Sequence, residues 1–225
     1  MNILRNFVVF EGGDGSGTST QIELLRNRLN PEKTPETPRE GGTGSGCRLF
    51  TTFEPTDSPI GRILRQALRG TLPLKPETIA RLFAADRNEH LFGPEGIRDH
   101  CLKGDLVVSD RYVPSSLVYQ GIDCGETLPA LLNRDFPLPE LLFFFDIDPN
   151  IALQRLETRS GRDFYEHLDV QILVREQYKT LLPAYAAGGV RLEYLDASKP
   201  MEEVAEAVWR VLQEMPIFEK WGKKK

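Results

Sequence analysis

Twelve residues near the start of the chain, Phe10-Glu11-Gly12-Gly13-Asp14-Gly15-Ser16-Gly17-Thr18-Ser19-Thr20-Gln21, constrain its fold more than any other stretch. They follow the phosphate-cradling pattern G-x-x-x-x-G-K-[ST] at Gly12, Gly17 and Ser19, with Thr18 where the lysine belongs. Glycines there let backbone N–H groups turn inward around phosphate oxygens, and the following helix adds the positive end of its dipole. Ser19 stands where a hydroxyl reaches Mg²⁺. The missing lysine is the group that follows charge on the β- and γ-phosphates during transfer. The loop therefore predicts a nucleotide-phosphate site short of one cation.

Such a loop needs a strand before it and a helix after it. Leu4, Phe7, Val8, Val9 and Phe10 form the apolar run of a buried strand, and Ile22, Leu24, Leu25 and Leu29 give a helical pattern. Further strands are predicted at 48–53, 106–109, 141–146 and 191–195, with the first at 7–10. Helical patterns fill 18–29, 59–69, 76–102, 113–120, 149–158, 166–187 and 200–214. This alternation predicts an α/β fold with a parallel sheet. The runs at 106–109 and 141–146 are continuously apolar, as strands covered on both faces are. Residues 30–46, rich in Pro, Gly, Thr and Glu without periodicity, read as a long surface loop.

A length of 225 residues suits one domain with a substantial core, spanning 1–225. The net charge of −5 argues against broad binding to nucleic-acid backbones. The basic end Lys220, Lys223, Lys224 and Lys225 reads as a solvated tail. Cys47, Cys101 and Cys124 show neither metal-ligand spacing nor a disulfide framework, which predicts reduced thiols in the cytoplasm. No run approaches the length of a membrane span, and the start lacks a signal peptide's apolar stretch.

Three clusters carry further chemistry. In Leu82-Phe83-Ala84-Ala85-Asp86-Arg87-Asn88-Glu89-His90, Phe83 and Arg87 are four apart on one helix face. An aromatic face beside a guanidinium can stack a base and bond its edge; taken alone, the pair reads first as a core Phe beside a surface Arg. The run Leu106-Val107-Val108-Ser109 ends in Asp110-Arg111-Tyr112, at the strand end where open α/β sheets bind ligands. Asp110 could hold Mg²⁺ through water and Arg111 could clamp a phosphate, or the two could be a structural pair. Ser116 and Gln120, again four apart, could read polar atoms of a base. Arg155, Arg159 and Arg162 flank Ser160-Gly161, a segment that suits either a closing lid over phosphates or a solvated charge run.

In this order the motifs resemble the thymidylate kinase family, P-loop enzymes that phosphorylate dTMP with ATP, over nearly the whole chain. The Phe10–Gly15 opening, the Leu82–His90 helix, Asp110-Arg111-Tyr112 with Ser115-Ser116 and Tyr119-Gln120-Gly121, Pro139-Glu140-Leu141 through Asp146 with Asp148-Pro149, and Leu195-Asp196-Ala197-Ser198 carry the resemblance. It implies a P-loop NTPase fold of five parallel strands, with a P-loop at 11–20, a variable loop at 30–46 and a lid at about 157–166. ATP would lie on Gly12, Gly13, Gly15, Ser16, Gly17, Thr18, Ser19, Thr20, Asp196 and Ala197. Asp14 would contact the sugar 3′-hydroxyl of dTMP, Phe83 would stack on thymine, and Arg87 would reach its O4 edge. Glu54, Ser116 and Gln120 would complete that pocket, and Arg65 and Arg111 would hold the 5′-phosphate. Ser19 and Asp110 would bind Mg²⁺. Asp14, Asp110, Arg111 and the lid residues Arg159 and Arg162 would serve transfer, since members without an arginine in the P-loop carry it in the lid and Gly15 fills that point here. A homodimer is also implied, without nucleic-acid or membrane partners.

The chain departs from the family pattern at Thr18 and at Phe53-Glu54-Pro55-Thr56, where many bacterial members have Thr-Arg-Glu-Pro-Gly-Gly. Two other functions stay open on the residues alone: a catalytically weak nucleotide-binding paralogue with a regulatory role, favoured by Thr18, and a kinase for another deoxynucleotide.

Overall fold

The computed structural model describes residues 2–29, 48–156 and 167–222. Strand β1 (Ile3–Gly12) runs through the glycine loop into helix α1 (Thr18–Leu29). Then come β2 (Leu49–Phe53), α2 (Pro59–Leu68), α3 (Pro76–Phe92), α4 (Ile97–Lys103) and β3 (Leu106–Asp110). Helices α5 (Val113–Cys124) and α6 (Thr127–Asn133) precede β4 (Leu138–Asp146). The chain closes with α7 (Pro149–Leu156), α8 (Leu168–Ala187), β5 (Arg191–Asp196), α9 (Met201–Leu212) and α10 (Pro216–Gly222).

All pairings in the five-stranded sheet are parallel, in the order β2-β3-β1-β4-β5. The α/β expectation holds. The period of two along β1 divides the core. Phe7 and Val9 join Leu142, Phe144, Val174, Tyr178 and Leu182 on the α8 side. Val8 and Phe10 join Ile22, Leu25, Phe143, Phe145 and Val208 on the α1 and α9 side. From β1 the chain passes by α1 to β2, and from the neighbouring β3 it passes by α5 and α6 to β4 on the other side, so a crevice opens at the carboxyl ends of β1 and β3 where the two connections part.

The structure corrects several boundaries. The single helix expected over 76–102 is two, α3 and α4, parted at 93–96. A Cβ on Gly93 would stand 2.5 Å from the Glu89 carbonyl oxygen, and one on Gly96 would meet three carbonyls at 2.8 Å, so this turn requires glycine. Helices α6 and α10 were not expected at all; each has seven residues, too few for a helical period to register. Strands β1 and β4 begin earlier than their apolar runs, at Ile3 and Leu138.

Candidate active site

The glycine loop leaves β1 at Gly12, and α1 begins at Thr18. Its turn is held by Ser16 N–H donating to Gly13 O (3.2 Å), and the first helical bond runs from Gln21 N–H to Gly17 O (3.0 Å). Gly15 and Gly17 take φ of +81° and +90°, a region open to glycine at little cost. Gly15 also packs on α7, where a Cβ would stand 2.5 Å from the Ala152 carbonyl oxygen. Thr18, buried at the start of α1, supplies a hydroxyl and no charge; Thr20 is half-buried.

Ser19 and Asp110 meet across the crevice. Ser19 Oγ donates to Asp110 Oδ2 at 2.5 Å, while Asp110 Oδ1 is buried without a hydrogen-bond partner among the described residues. A hard cation takes such oxygen donors, and Mg²⁺ keeps most of its shell as water and substrate oxygens, so one hydroxyl and one carboxylate suffice. No group of three or more His, Cys, Asp or Glu gathers as a metal cage among the described residues.

Seven of the residues expected around dTMP line one cleft: Asp14, Glu54, Phe83, Arg87, Arg111, Ser116 and Gln120. Arg87 is at its floor, 1% exposed. Its Nε and Nη2 donate to Glu54 Oε2 (2.9 and 2.6 Å), Nη2 to Ser116 Oγ (2.9 Å), and Nη1 to Asn133 Oδ1. Four of the five guanidinium N–H groups are thus engaged, which leaves one on Nη1. Glu54 Oε1 contacts His90 Nδ1 (3.1 Å), and His90 Nε2 contacts Thr52 Oγ1 (2.5 Å). The neighbouring Asp86 accepts from Thr56 N–H (2.7 Å) and the Thr56 and Ser58 hydroxyls (2.6 and 2.7 Å), fastening the 54–58 loop to α3. Gln120 is 2% exposed, and its Oε1 has no hydrogen-bond partner among the described residues.

Arg111 closes the other end of the cleft with φ of +68°, rare for a residue with a Cβ. Its Nη2 is paired with Asp14 Oδ1 at 2.5 Å, and Nη1 donates to Gly12 O (3.2 Å) and Ser115 Oγ (3.2 Å). Burial opposes its charge, but Tyr119, Asp14, Tyr178 and Asp110 outweigh it and hold its pKa well above the ordinary arginine value. Gln171 of α8 orients Asp14 from behind: its Nε2 donates to Asp14 Oδ2 (3.0 Å), and its Oε1 accepts from Asp14 N–H (3.1 Å).

Glu11, the residue before the loop, is fully buried, and burial lifts its pKa to about 7 against hydrogen bonds from Ser115, Tyr178 and Tyr112 and the charge of Arg111. Arg65 lies outside the base cleft. It lines an adjoining one with Ser19, Asp110 and Arg111, its Nη2 on Thr56 O (2.7 Å) and its guanidinium 5.6 Å from the Phe53 ring centroid. Phe53, at the position of the family's arginine, therefore stacks under Arg65. Asp196 spends its Oδ1 on Ser198 N–H (3.0 Å) and Oγ (2.5 Å), while Ala197 N–H ties the turn to Asp146 O (2.8 Å). The expected lid residues Arg159 and Arg162, and the 30–46 loop, lie outside the described residues.

Sequence reasoning missed Glu11, Asn133, Gln171 and Tyr178. The last three approach the site from α6 and α8, and no local spacing links them to it. Glu11 stood inside the quoted motif, where an acid at the end of an apolar strand was the available signal.

The family model described as Thymidylate kinase matches residues 10–208. A protein of Treponema pallidum (strain Nichols), provisionally named a thymidylate kinase, is 36% identical over 217 residues, covering 95% of this chain and 98% of that protein. Relatives with the same provisional name come from Pyrobaculum aerophilum, at 36% over 214 residues (94% and 98%), and Methanocaldococcus jannaschii, at 33% over 212 residues (93% and 97%).

Proposed function

The chain belongs to the thymidylate kinase family, and we propose on that premise that it transfers the γ-phosphoryl group of Mg-ATP to dTMP, giving dTDP and ADP. The observation that carries the choice of base is in the cleft. Gln120 Oε1 is a buried acceptor without a partner among the described residues, and Arg87 keeps one donor on Nη1. Thymine offers the complement, an N3–H donor beside an O4 acceptor. Cytosine has an amine at C4, which would leave the Arg87 donor facing a second donor. With Glu54 compensating its charge, Arg87 suits a neutral base. Phe83 supplies the stacking face.

The remaining roles follow the same reading. Asp14, held by Gln171 and Arg111, takes the sugar 3′-hydroxyl. Arg111 and Arg65 hold the acceptor phosphate between the base cleft and the glycine loop. An acceptor oxygen then bonds the γ-phosphorus as the bond to the β-phosphate oxygen breaks and ADP leaves. The protein's work is positioning and charge compensation. Ser19 and Asp110 would hold Mg²⁺, which when bound neutralises phosphate charge. The N–H groups of Gly13 through Ser19 would cradle the donor phosphates, the turn at Asp196 and Ala197 would adjoin adenine, and Arg159 and Arg162 would supply the cations that Thr18 does not. We read residues 1–225 as one catalytic domain, a homodimer as its assembly and the cytoplasm as its place. Among the described residues no helix is long and apolar enough to cross a membrane.

The test is ADP release by the purified protein with Mg-ATP and dTMP, dUMP, dCMP or dGMP, alongside Thr18→Lys. Turnover with dTMP and its near-absence with dCMP are expected. The Thr18→Lys gain should fall short of the 10²–10³ that one preorganised donor supplies, because lid arginines share the load. Loss of turnover in Arg159→Ala or Arg162→Ala would locate that load. No ADP release with dTMP by either protein overturns the function.

A further inference from the structure

Glu11 enters none of these roles, yet its carboxylate makes four hydrogen bonds at the centre of the site. Oε1 accepts from the backbone N–H groups of Tyr112 (2.9 Å) and Ser115 (3.3 Å). Oε2 accepts from Ser115 Oγ (2.7 Å) and Tyr178 OH (2.8 Å). Tyr112 occupies the cap position of α5 and makes no side-chain cap bond of its own. Glu11 supplies that cap from β1, a strand that precedes α5 by about a hundred residues. Negative charge at a helix N-terminus is favourable, and orphan N–H groups there need an acceptor.

The direction of these bonds matters for Arg111. An ionised carboxylate can only accept, so Ser115 Oγ donates its one proton to Oε2, and Tyr178 OH, 2.8 Å from Ser115 Oγ as well, donates to Oε2 or to Ser115. Ser115 Oγ is then left with lone pairs for the Arg111 Nη1 donor at 3.2 Å. A chain of donors thus runs from Arg111 through Ser115 to Glu11. A protonated acid, or an amide in its place, would donate toward Ser115 and compete with Arg111 for those lone pairs. We propose that Glu11 is a positioning residue for acceptor binding: through Ser115 and the start of α5 it fixes the Arg111 guanidinium in the orientation that receives the acceptor phosphate. The inference rests on the role assigned above to Arg111. The charged and titratable groups facing Glu11 are Arg111 at the β3–α5 turn and Tyr178 and Tyr185 on α8.

The test is dTMP affinity by calorimetry from pH 5.5 to 8.5, for the wild-type protein and Glu11→Gln. The ratio of the two dissociation constants cancels titration of the nucleotide's own phosphate. Below about pH 6 both proteins present a neutral group and the ratio should be near one. Above pH 8 only the wild type is ionised, and the variant should bind about tenfold more weakly. A cap of purely structural value would give a ratio independent of pH, and that result overturns the inference. If Glu11→Gln does not fold, Tyr178→Phe carries the test. It removes one donor to the carboxylate and should move the midpoint of the wild-type affinity profile to higher pH; an unmoved midpoint overturns the inference equally. Wild-type protein that binds no dTMP at any pH overturns both this inference and the proposed function. Binding with a flat ratio overturns this one alone.

Discussion

Replacing Arg87 by Met keeps much of its volume and removes its charge. The structure fixes what is left behind. Arg87 and Glu54 have side chains 1% and 3% exposed, so the carboxylate stays buried with His90 as its remaining ion-pair partner among the described residues. Asn133 Oδ1 and Ser116 Oγ each lose a donor as well. Removing one partner of a buried ion pair costs about 3–5 kcal/mol. At this chain length about 1 kcal/mol corresponds to about 2–4 °C, so the melting temperature should fall by about 6–20 °C. Replacing both partners removes the stranded charge, so Arg87→Met combined with Glu54→Gln should recover most of that loss. Binding of dTMP should not recover, because the donor to the base is absent in both proteins. Calorimetric melting with dTMP titration measures the two quantities on the same samples. A double variant as unstable as Arg87→Met would refute the reasoning, since the cost would then come from lost packing and not from an uncompensated charge.

Glu11 should make stability fall as pH rises. Its pKa is lifted from 4.5 to about 7, so its contribution is complete below 4.5 and lost through about 7, on the order of 3 kcal/mol in all. Denaturation at pH 5 and pH 8 should show this slope in the wild type and a flatter one in Glu11→Gln. Gly15→Ala should lose nucleotide binding and about 1–3 kcal/mol, because φ of +81° and an oxygen 2.5 Å from the new Cβ both resist it; binding and melting unchanged from the wild type would count against this loop geometry. Gln171→Glu places a second carboxylate against Asp14 Oδ2 and should raise the KM for dTMP more than that for ATP. Removal of Mg²⁺ by EDTA should abolish ADP release and restore it on readdition.

Local order was legible where a period and a terminator coincide. The helix expected at 18–29 is α1 to the residue, because the glycine loop marks its start and the apolar face at Ile22 and Leu25 is buried. At 93–96 the apolar pattern ran on through a break that only close backbone contacts enforce. The site was legible as a set of residues but not as a set of bonds. Phe83 and Arg87 could be chosen by their spacing, whereas the capture of Arg87 by Glu54 depends on a loop 33 positions away. Gln171 and Tyr178 reach Asp14 and Glu11 across 157 and 167 positions, beyond anything a periodicity carries.

Among the described residues the proposed contacts lie at the carboxyl ends of the strands, and the entries to β3 and β5 at the opposite edge are turns. Gly104 enters β3 there with φ of +87° and open space around it, and the exposed Gly188 and Gly189 enter β5. Each turn is separated from the chemistry by the full length of a strand, roughly 16–20 Å. The molecule is therefore a natural host for a spliced-in reporter: a fluorescent domain inserted at Gly104 would leave the nucleotide clefts their shape.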